Sequence, residues 1–289
     1  MLVDFHVHST ASDGTCRPSE LAAQAAVRGF SVLALTDHDN CDGVTEFLAA
    51  PAPEGLRRIA GIELSIDPGV GFDRFHLLGL GIDPANAALR AFLKRVLDGR
   101  NARNARILEN FAHLGIEITP ADIARYAHGE VLARPHFAAW LVDHGYAADK
   151  SAAFATYLAD DSPRETNCYE ERWHPSQAEA FAIIHGAGGL CVMAHPRYWR
   201  SEWKRIGCDY AAAARELARL KEAGLDGLET LYQANTAEEN LEFTRMALNL
   251  GLVASAGSDF HGATKPTVSL GMNVSNSFIA PLLERLCGR

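Results

Sequence analysis

The chain has 289 residues, 48% of them hydrophobic, and a formal net charge of −9. That length supports one sizeable domain, or one domain carrying an insertion. No run reaches the roughly 18 uninterrupted apolar residues of a membrane span, and the acidic balance argues against a protein that coats long nucleic acid.

The opening MLVDFHVHST has neither a basic nor an apolar leader region, so no signal peptide is expected. The cysteines (Cys16, Cys41, Cys168, Cys191, Cys208, Cys287) are scattered without a CxxC pair, which points to reduced thiols and a cytoplasmic location. Short apolar runs predict strands at 2–7, 31–36, 57–64, 75–82, 189–195, 226–231 and 252–258. The runs are continuous rather than alternating, as expected of buried parallel strands. Helices are predicted over 18–28, 43–49, 176–187, 210–223, 237–250 and 276–287, several of them ending at a glycine. Such alternation implies parallel β/α units. Residues 84–165 break the rhythm with helix after helix, so the expected organisation is a β/α domain over 1–83 and 166–289 with a helical cap over 84–165.

Six short phrases carry the chemistry, and each sits in, at the end of, or just after a predicted strand. In DFHVHS, His6 and His8 are two apart and share one face of a strand, where both imidazoles can meet a single ion. Asp13 follows in SDG, a phrase that also reads as an ordinary turn. TDHD places Asp37, His38 and Asp39 directly after an apolar run, where ionisable groups are costly to bury without a role. His38 is the candidate ligand, and its neighbours could orient it. GIELS puts Glu63 at the end of the third strand, with His76 beginning the next. AHP supplies His195, and GSDFHG supplies Asp259 and His261. Each residue alone has a bland structural reading, but nine candidates gathered at strand ends match what two or three divalent ions need.

This series resembles the polymerase and histidinol phosphatase (PHP) family of metal-dependent phosphoesterases. The motifs occur in the family's order across residues 4–262. The resemblance implies an α/β fold, a distorted seven-stranded TIM-like barrel. It implies one ion on His6, His8, Glu63 and Asp259, a second on Glu63, His76 and His195, and a third on Asp13, His38 and His261. Asp13 stands where some members carry His. That hardens the third site, so Mn2+ leads the expectation, with Zn2+, Fe2+ or Mg2+ as alternatives.

ARPHFA at 133–138 resembles the GRPH-like phrase of the subfamily that removes the 3′-phosphate from nucleoside 3′,5′-bisphosphates or trims short RNA from its 5′ end. The expected substrate is therefore a small phosphorylated nucleotide, with short RNA second. No membrane and no long duplex is expected as a partner. Arg134 could grip a phosphate, aided by His136 and Arg197, with Tyr232, Asn235 and Ser258 as further pocket candidates. Asp37, His136 or a metal-bound water could protonate the leaving group. Phe137, Trp140 and Tyr157 offer an aromatic wall for a base. Histidinol phosphatase activity, exoribonuclease activity and a noncatalytic metal-binding regulatory module are the competing readings.

Overall fold

The structure is a computed structural model that describes residues 1–67, 69, 74–127, 131–199 and 209–287. His128 and Cys208 lie outside them. Among the described residues eight strands form one sheet: β1 (Leu2–Asp4), β2 (Val32–Leu35), β3 (Arg57–Ile66), β4 (Phe75–Leu80), β5 (Leu190–Met193), β6 (Gly227–Tyr232), β7 (Val253–Gly257) and the short β8 (Met272–Asn273). The order is β7-β6-β5-β4-β3-β2-β1-β8.

β7, at one end of this order, also meets the chain that continues β1. The Phe5 amide donates to Ala256 O at 3.0 Å, the Asp259 amide to His6 O at 2.9 Å, and Val7 bridges Phe260 in parallel. The sheet is thereby a nearly closed, distorted β/α barrel. DFHVHS and GSDFHG lie side by side at the seam, although some 250 residues of chain separate them.

The sheet departs from the all-parallel, seven-stranded expectation: the short β8 was not predicted and runs antiparallel to β1, and β4 runs antiparallel to both β3 and β5. A buried antiparallel strand has the same continuous apolar pattern as a parallel one, so hydropathy could not separate them. The reversal has a use. A strand running the other way brings its first residues, not its last, to the rim where its neighbours end, and His76 is the second residue of β4.

Helices α1 (Pro18–Val27), α2 (Gly43–Ala49), α7 (Gln177–Gly186), α8 (Tyr210–Glu222), α9 (Ala237–Leu250) and α10 (Asn276–Cys287) accompany the strands. Between β4 and β5 come α3 (Ala87–His113), α4 (Pro120–Ala124), α5 (Arg134–Asp143), α6 (Lys150–Ala153) and a π-helical turn over Phe154–Leu158. Two apolar clusters serve the barrel. Val3, Phe5, Leu78 and Val192 belong to one, and Leu33, Ile62, Leu77 and Phe243 to the other. A third is confined to the helical segment and its return, including Ile107, Phe111, Phe137, Trp140 and Cys168. No described helix is long and apolar enough to cross a membrane. The five described cysteines are all free.

Candidate metal centre and its cavity

Glu63 is the hub. It has no solvent exposure, and its two carboxylate oxygens face different imidazoles. Oε2 lies 3.2 Å from His6 Nε2, 3.1 Å from His8 Nε2 and 3.0 Å from His38 Nδ1. Oε1 lies 2.8 Å from His76 Nδ1 and 3.1 Å from His195 Nε2. Asp259 Oδ1 is 3.3 Å from His8 Nε2 and 3.6 Å from His6 Nε2. Asp13 Oδ1 is 3.3 Å from His261 Nε2. Three groups emerge whose donor atoms lie within 4.8 Å of one another: His6, His8, Glu63, Asp259; His38, Glu63, His76; and His8, Asp13, His38, His261. All nine residues read from the sequence as candidate ligands are thus brought together, with His195 joining through Glu63.

The donor set suits divalent ions on physical grounds. Glu63 Oε2 and His8 Nδ1 are buried without a hydrogen-bond partner among the described residues, although three imidazole nitrogens crowd the former. Lone pairs that converge without pairing behave as a coordination shell. Bonds of about 2.0–2.2 Å from one ion place neighbouring ligands about 3 Å apart, as these are. Burial pushes the carboxyl groups of Glu63, Asp13 and Asp259 upward, but the surrounding imidazoles outweigh it and hold all three well below the usual range. They are ionised, as ligands must be.

Backbone strain gathers here too. Asp39, His195 and Asp259 are the non-glycine residues with positive φ among the described residues, at 53°, 27° and 58°. Each follows a strand at this rim, where strained geometry commonly serves function.

Several supporting groups were not among the ligands read from the sequence. Glu229, wholly buried in β6, faces His6 Nδ1 at 3.1 Å and accepts from the His195 amide at 2.6 Å. Its signal was an acidic residue inside the apolar run DGLETL. Asp4 accepts from Ser258 Oγ at 2.5 Å and from the Ser258 and Gly271 amides at 2.9 and 2.8 Å. The Tyr232 hydroxyl donates to Asp259 Oδ2 at 3.0 Å, and Lys265 Nζ reaches the same oxygen at 2.6 Å.

The cluster opens into a cavity of about 930 Å³, which falls within the size range of small-molecule sites. Arg134 and Tyr232 line it. The remaining candidates for substrate binding and proton transfer are engaged elsewhere, and none of them is among its lining residues. Asp37 accepts from the Ser9 amide, Ser9 Oγ and Ser12 Oγ at 2.6–2.7 Å. His136 Nδ1 accepts from the Ala133 amide at 3.1 Å. Arg197 pairs with Glu239 at 3.5 Å, Asn235 bonds Asn240 at 3.0 Å, and Ser258 is held by Asp4. Phe137, Trp140 and Tyr157 do not form the aromatic wall, because they pack into or against the apolar core of the helical segment. Phe154, Tyr169, Tyr198, Trp199 and Tyr232 line the cavity instead.

Apart from Arg134, an arginine wall was also missed. Arg74, Arg100, Arg103, Arg134 and Arg172 line the cavity. The Arg134 guanidinium lies 5.8 Å from the Phe154 ring centroid and 5.1 Å from that of Tyr169, and donates to Leu158 O at 3.1 Å. Asp39 accepts from Arg100 and, at 2.8 Å, from Arg172. The readable signal lay in α3. Its buried stripe runs Leu89, Phe92, Val96, Arg100, Arg103, Ile107, Phe111, with two arginines at helical spacing where apolar residues belong. His174 lines the cavity as well.

Comparison with known proteins follows this geometry. The PHP domain matches residues 4–145. A 3′,5′-nucleoside bisphosphate phosphatase from Chromobacterium violaceum is 36% identical over 90% of this chain and 87% of its own length. A 5′-3′ exoribonuclease from Haemophilus influenzae is 33% identical over 89% of each chain. A solved structure described as an amidohydrolase from Chromobacterium violaceum, with bound sulfate and no metal, superposes with a TM-score of 0.83 at 33% identity. It covers 98% of this chain and 96% of that one.

Proposed function

This chain belongs to the PHP family and is a metal-dependent hydrolase of phosphoric esters; from that premise we propose that it removes the 3′-phosphate from nucleoside 3′,5′-bisphosphates. The observation that carries this reading is a single cavity lined by both the carboxylate–imidazole cluster and the arginine wall. Its volume suits a mononucleotide, and its aromatic side chains offer faces for a base. The similarity to the Chromobacterium phosphatase supports the same substrate class.

In this reading His6, His8, Glu63 and Asp259 hold one divalent ion, and Glu63, His76 and His195 a second. Asp13, His38 and His261 hold a third. Mn2+ is the proposed occupant. Bound divalent ions would supply Lewis acidity and activate a water nucleophile near neutral pH. The protein's own residues do the rest. Glu229 fixes the ring of His6 through Nδ1, leaving Nε2 for the ion. Tyr232 stays protonated, pushed up by burial and by the Asp259 and Glu229 carboxylates, and holds Asp259 in place. Arg134 is the proposed phosphate contact from the helical segment. We further propose the barrel as residues 1–83 and 166–289, with 84–165 as its cap, since that segment brings Arg100, Arg103 and Arg134 to the cavity.

The test is phosphate release by Mn2+-loaded protein from adenosine 3′,5′-bisphosphate, adenosine 5′-monophosphate, histidinol phosphate and a 5′-phosphorylated short oligoribonucleotide. Release from the bisphosphate alone, leaving adenosine 5′-monophosphate, is the expected result. Mononucleotide release from the oligoribonucleotide without bisphosphate turnover would transfer the assignment to the exoribonuclease reading.

A further inference from the structure

A further group of metal-ligating side chains meets at the opposite end of the barrel. His185 stands in the last turn of α7, Cys191 is the second residue of β5, and Asp226 immediately precedes β6. One donor atom from each lies within 4.8 Å of the others. The rim cluster gathers where β5 ends, whereas this group gathers where β5 and β6 begin. The extended chain from Cys191 to His195 spans about 13 Å.

The three side chains converge by different means. The Asp226 amide donates to Cys191 O at 2.9 Å and the Val253 amide to Asp226 O at 3.0 Å, so the sheet fixes both residues. Asp226 Oδ2 lies 2.7 Å from His185 Nε2 and accepts from the Cys191 amide at 2.9 Å. Arg285 Nη1, from α10, lies 3.4 Å from Asp226 Oδ1. Cys191 is wholly buried, and its Sγ is 4.0 Å from Phe181 O, about one turn before His185 on α7. The thiol therefore points at the helix that carries the imidazole. The side chains of His185 and Asp226 are 34% and 15% exposed, so an ion and a water ligand can reach them from solvent.

We propose that His185, Cys191 and Asp226 form a metal site, separate from the rim cluster, that takes a thiophilic divalent ion of the Zn2+ class. Zn2+ bonds of about 2.0–2.3 Å at tetrahedral angles place ligand atoms about 3.3–3.6 Å apart, so the His185–Asp226 pair opens by roughly half an ångström to admit the ion. Cys191 binds as the thiolate, its proton leaving to solvent, and His185 binds neutral through Nε2. Thiolate and carboxylate together cancel the charge of the ion. The Cys191 amide orients the Asp226 carboxylate. Ligand type separates the two sites: the rim groups offer only oxygen and imidazole, whereas a sulfur donor selects Zn2+ over Mn2+. An ion here ties α7 to β5 and β6 at the barrel floor and stabilises the scaffold without touching the chemistry at the rim.

Cobalt reports on the sulfur. Protein in excess Mn2+ is titrated with Co2+ under a phosphine reductant, and the near-ultraviolet thiolate-to-cobalt charge-transfer band is followed. The rim groups contain no cysteine, so Co2+ exchanging into them gives no such band. Wild-type protein should show the band, saturating at one ion per chain and erased by Zn2+. Cys191→Ser should lose it. His185→Gln, which keeps the thiol, should weaken Co2+ binding at least about 10-fold. In excess Mn2+, added Zn2+ should raise the Tm of wild-type protein more than that of Cys191→Ser.

Absence of the band at excess Co2+ overturns the proposal. So does a band that survives in Cys191→Ser, which belongs to another thiol, an unchanged affinity in His185→Gln, or an equal Zn2+-induced shift in Tm. Should Cys191→Ser fail to fold by circular dichroism, His185→Gln and Asp226→Asn decide the matter, since each removes one ligand and keeps the thiol. The band does not depend on turnover, so it stands whether or not the substrate assignment does.

Discussion

Asp39→Asn isolates one charge at the junction between the barrel and the helical segment. Asparagine has the shape of aspartate and tolerates the left-handed backbone that Asp39 adopts at φ 53°, so the backbone is undisturbed. The charge is not spared. Asp39 is 3% exposed, Arg100 7% and Arg172 9%, and both guanidiniums meet the same Asp39 Oδ2. At an effective dielectric near 20, each attraction is worth about 4 kcal/mol at a separation of 4 Å. Repulsion between the two arginines offsets part of this. Leaving them buried without their partner should cost about 3–5 kcal/mol of unfolding free energy.

Urea denaturation of metal-free protein at pH 7 measures it. Burial opposes ionisation of Asp39, but Arg172 and Arg100 win, and its carboxyl sits far below the usual range. A carboxyl depressed in the folded state stabilises above its unfolded value near 3.9, and the contribution fades as pH falls toward the folded value. The gap between wild type and variant should therefore be flat above about pH 5 and narrow below about pH 4. A loss under about 1 kcal/mol would show that water screens the pair as it does a surface ion pair. The same loss in an Arg100→Met, Arg172→Met background would show that the cost does not come from these arginines.

Three further outcomes are expected. Glu229→Gln weakens the support of His6 and should lower metal affinity about 10- to 100-fold, read by competition with a chelator of known affinity. Gly257→Ala places a methyl group against Glu229 Oε1 and His6 Cβ, both held in the buried cluster. It should cost about 1–3 kcal/mol in thermal or urea unfolding, and a neutral result would mean that this seam is looser than the contacts imply. Burial, followed by Arg172 and Arg74, lowers His174 to about 3. The unfolded chain therefore binds a proton there that the folded chain does not, and stability drains as pH falls from about 6.5 toward 3, by up to about 1.4 kcal/mol per unit. His174→Gln should flatten that slope between pH 6.5 and 5 in metal-free protein.

What could be read from the sequence was local and chemical. The strands and most helices follow from apolar runs ended by glycine and polar clusters. The nine candidate ligands stood out because ionisable residues at the ends of buried runs have few structural reasons to be there. What stayed hidden depends on the direction and facing of distant elements. Hydropathy is blind to strand polarity, so β4 read as parallel. Phe137 in ARPHFA and Trp140 just after it read as a base platform, yet the inner face of α5 needed them against Ile107 and Phe111. Arg100 and Arg103 drew no reading from the sequence, because only the chain packed against that face decides that arginine is buried there. Glu229 was visible as an acid within an apolar strand but had no partner in the sequence to explain it.

The seam between β1 and β7 also fixes the order in which the protein can become competent. Residues 1–195 hold seven of the nine candidate ligands, but the chain leaving a ribosome cannot complete the cluster with them. Asp259 and His261 emerge last, together with the strand whose carbonyls and amides clamp His6 and His8. Until residues 253–261 arrive, His6, His8 and Glu63 form an open edge rather than a closed shell. Pairings between such remote segments are slow to form. Tight retention of metal should thus mark a finished chain, and a nascent chain stalled before β7 should release its ions readily to any competing chelator.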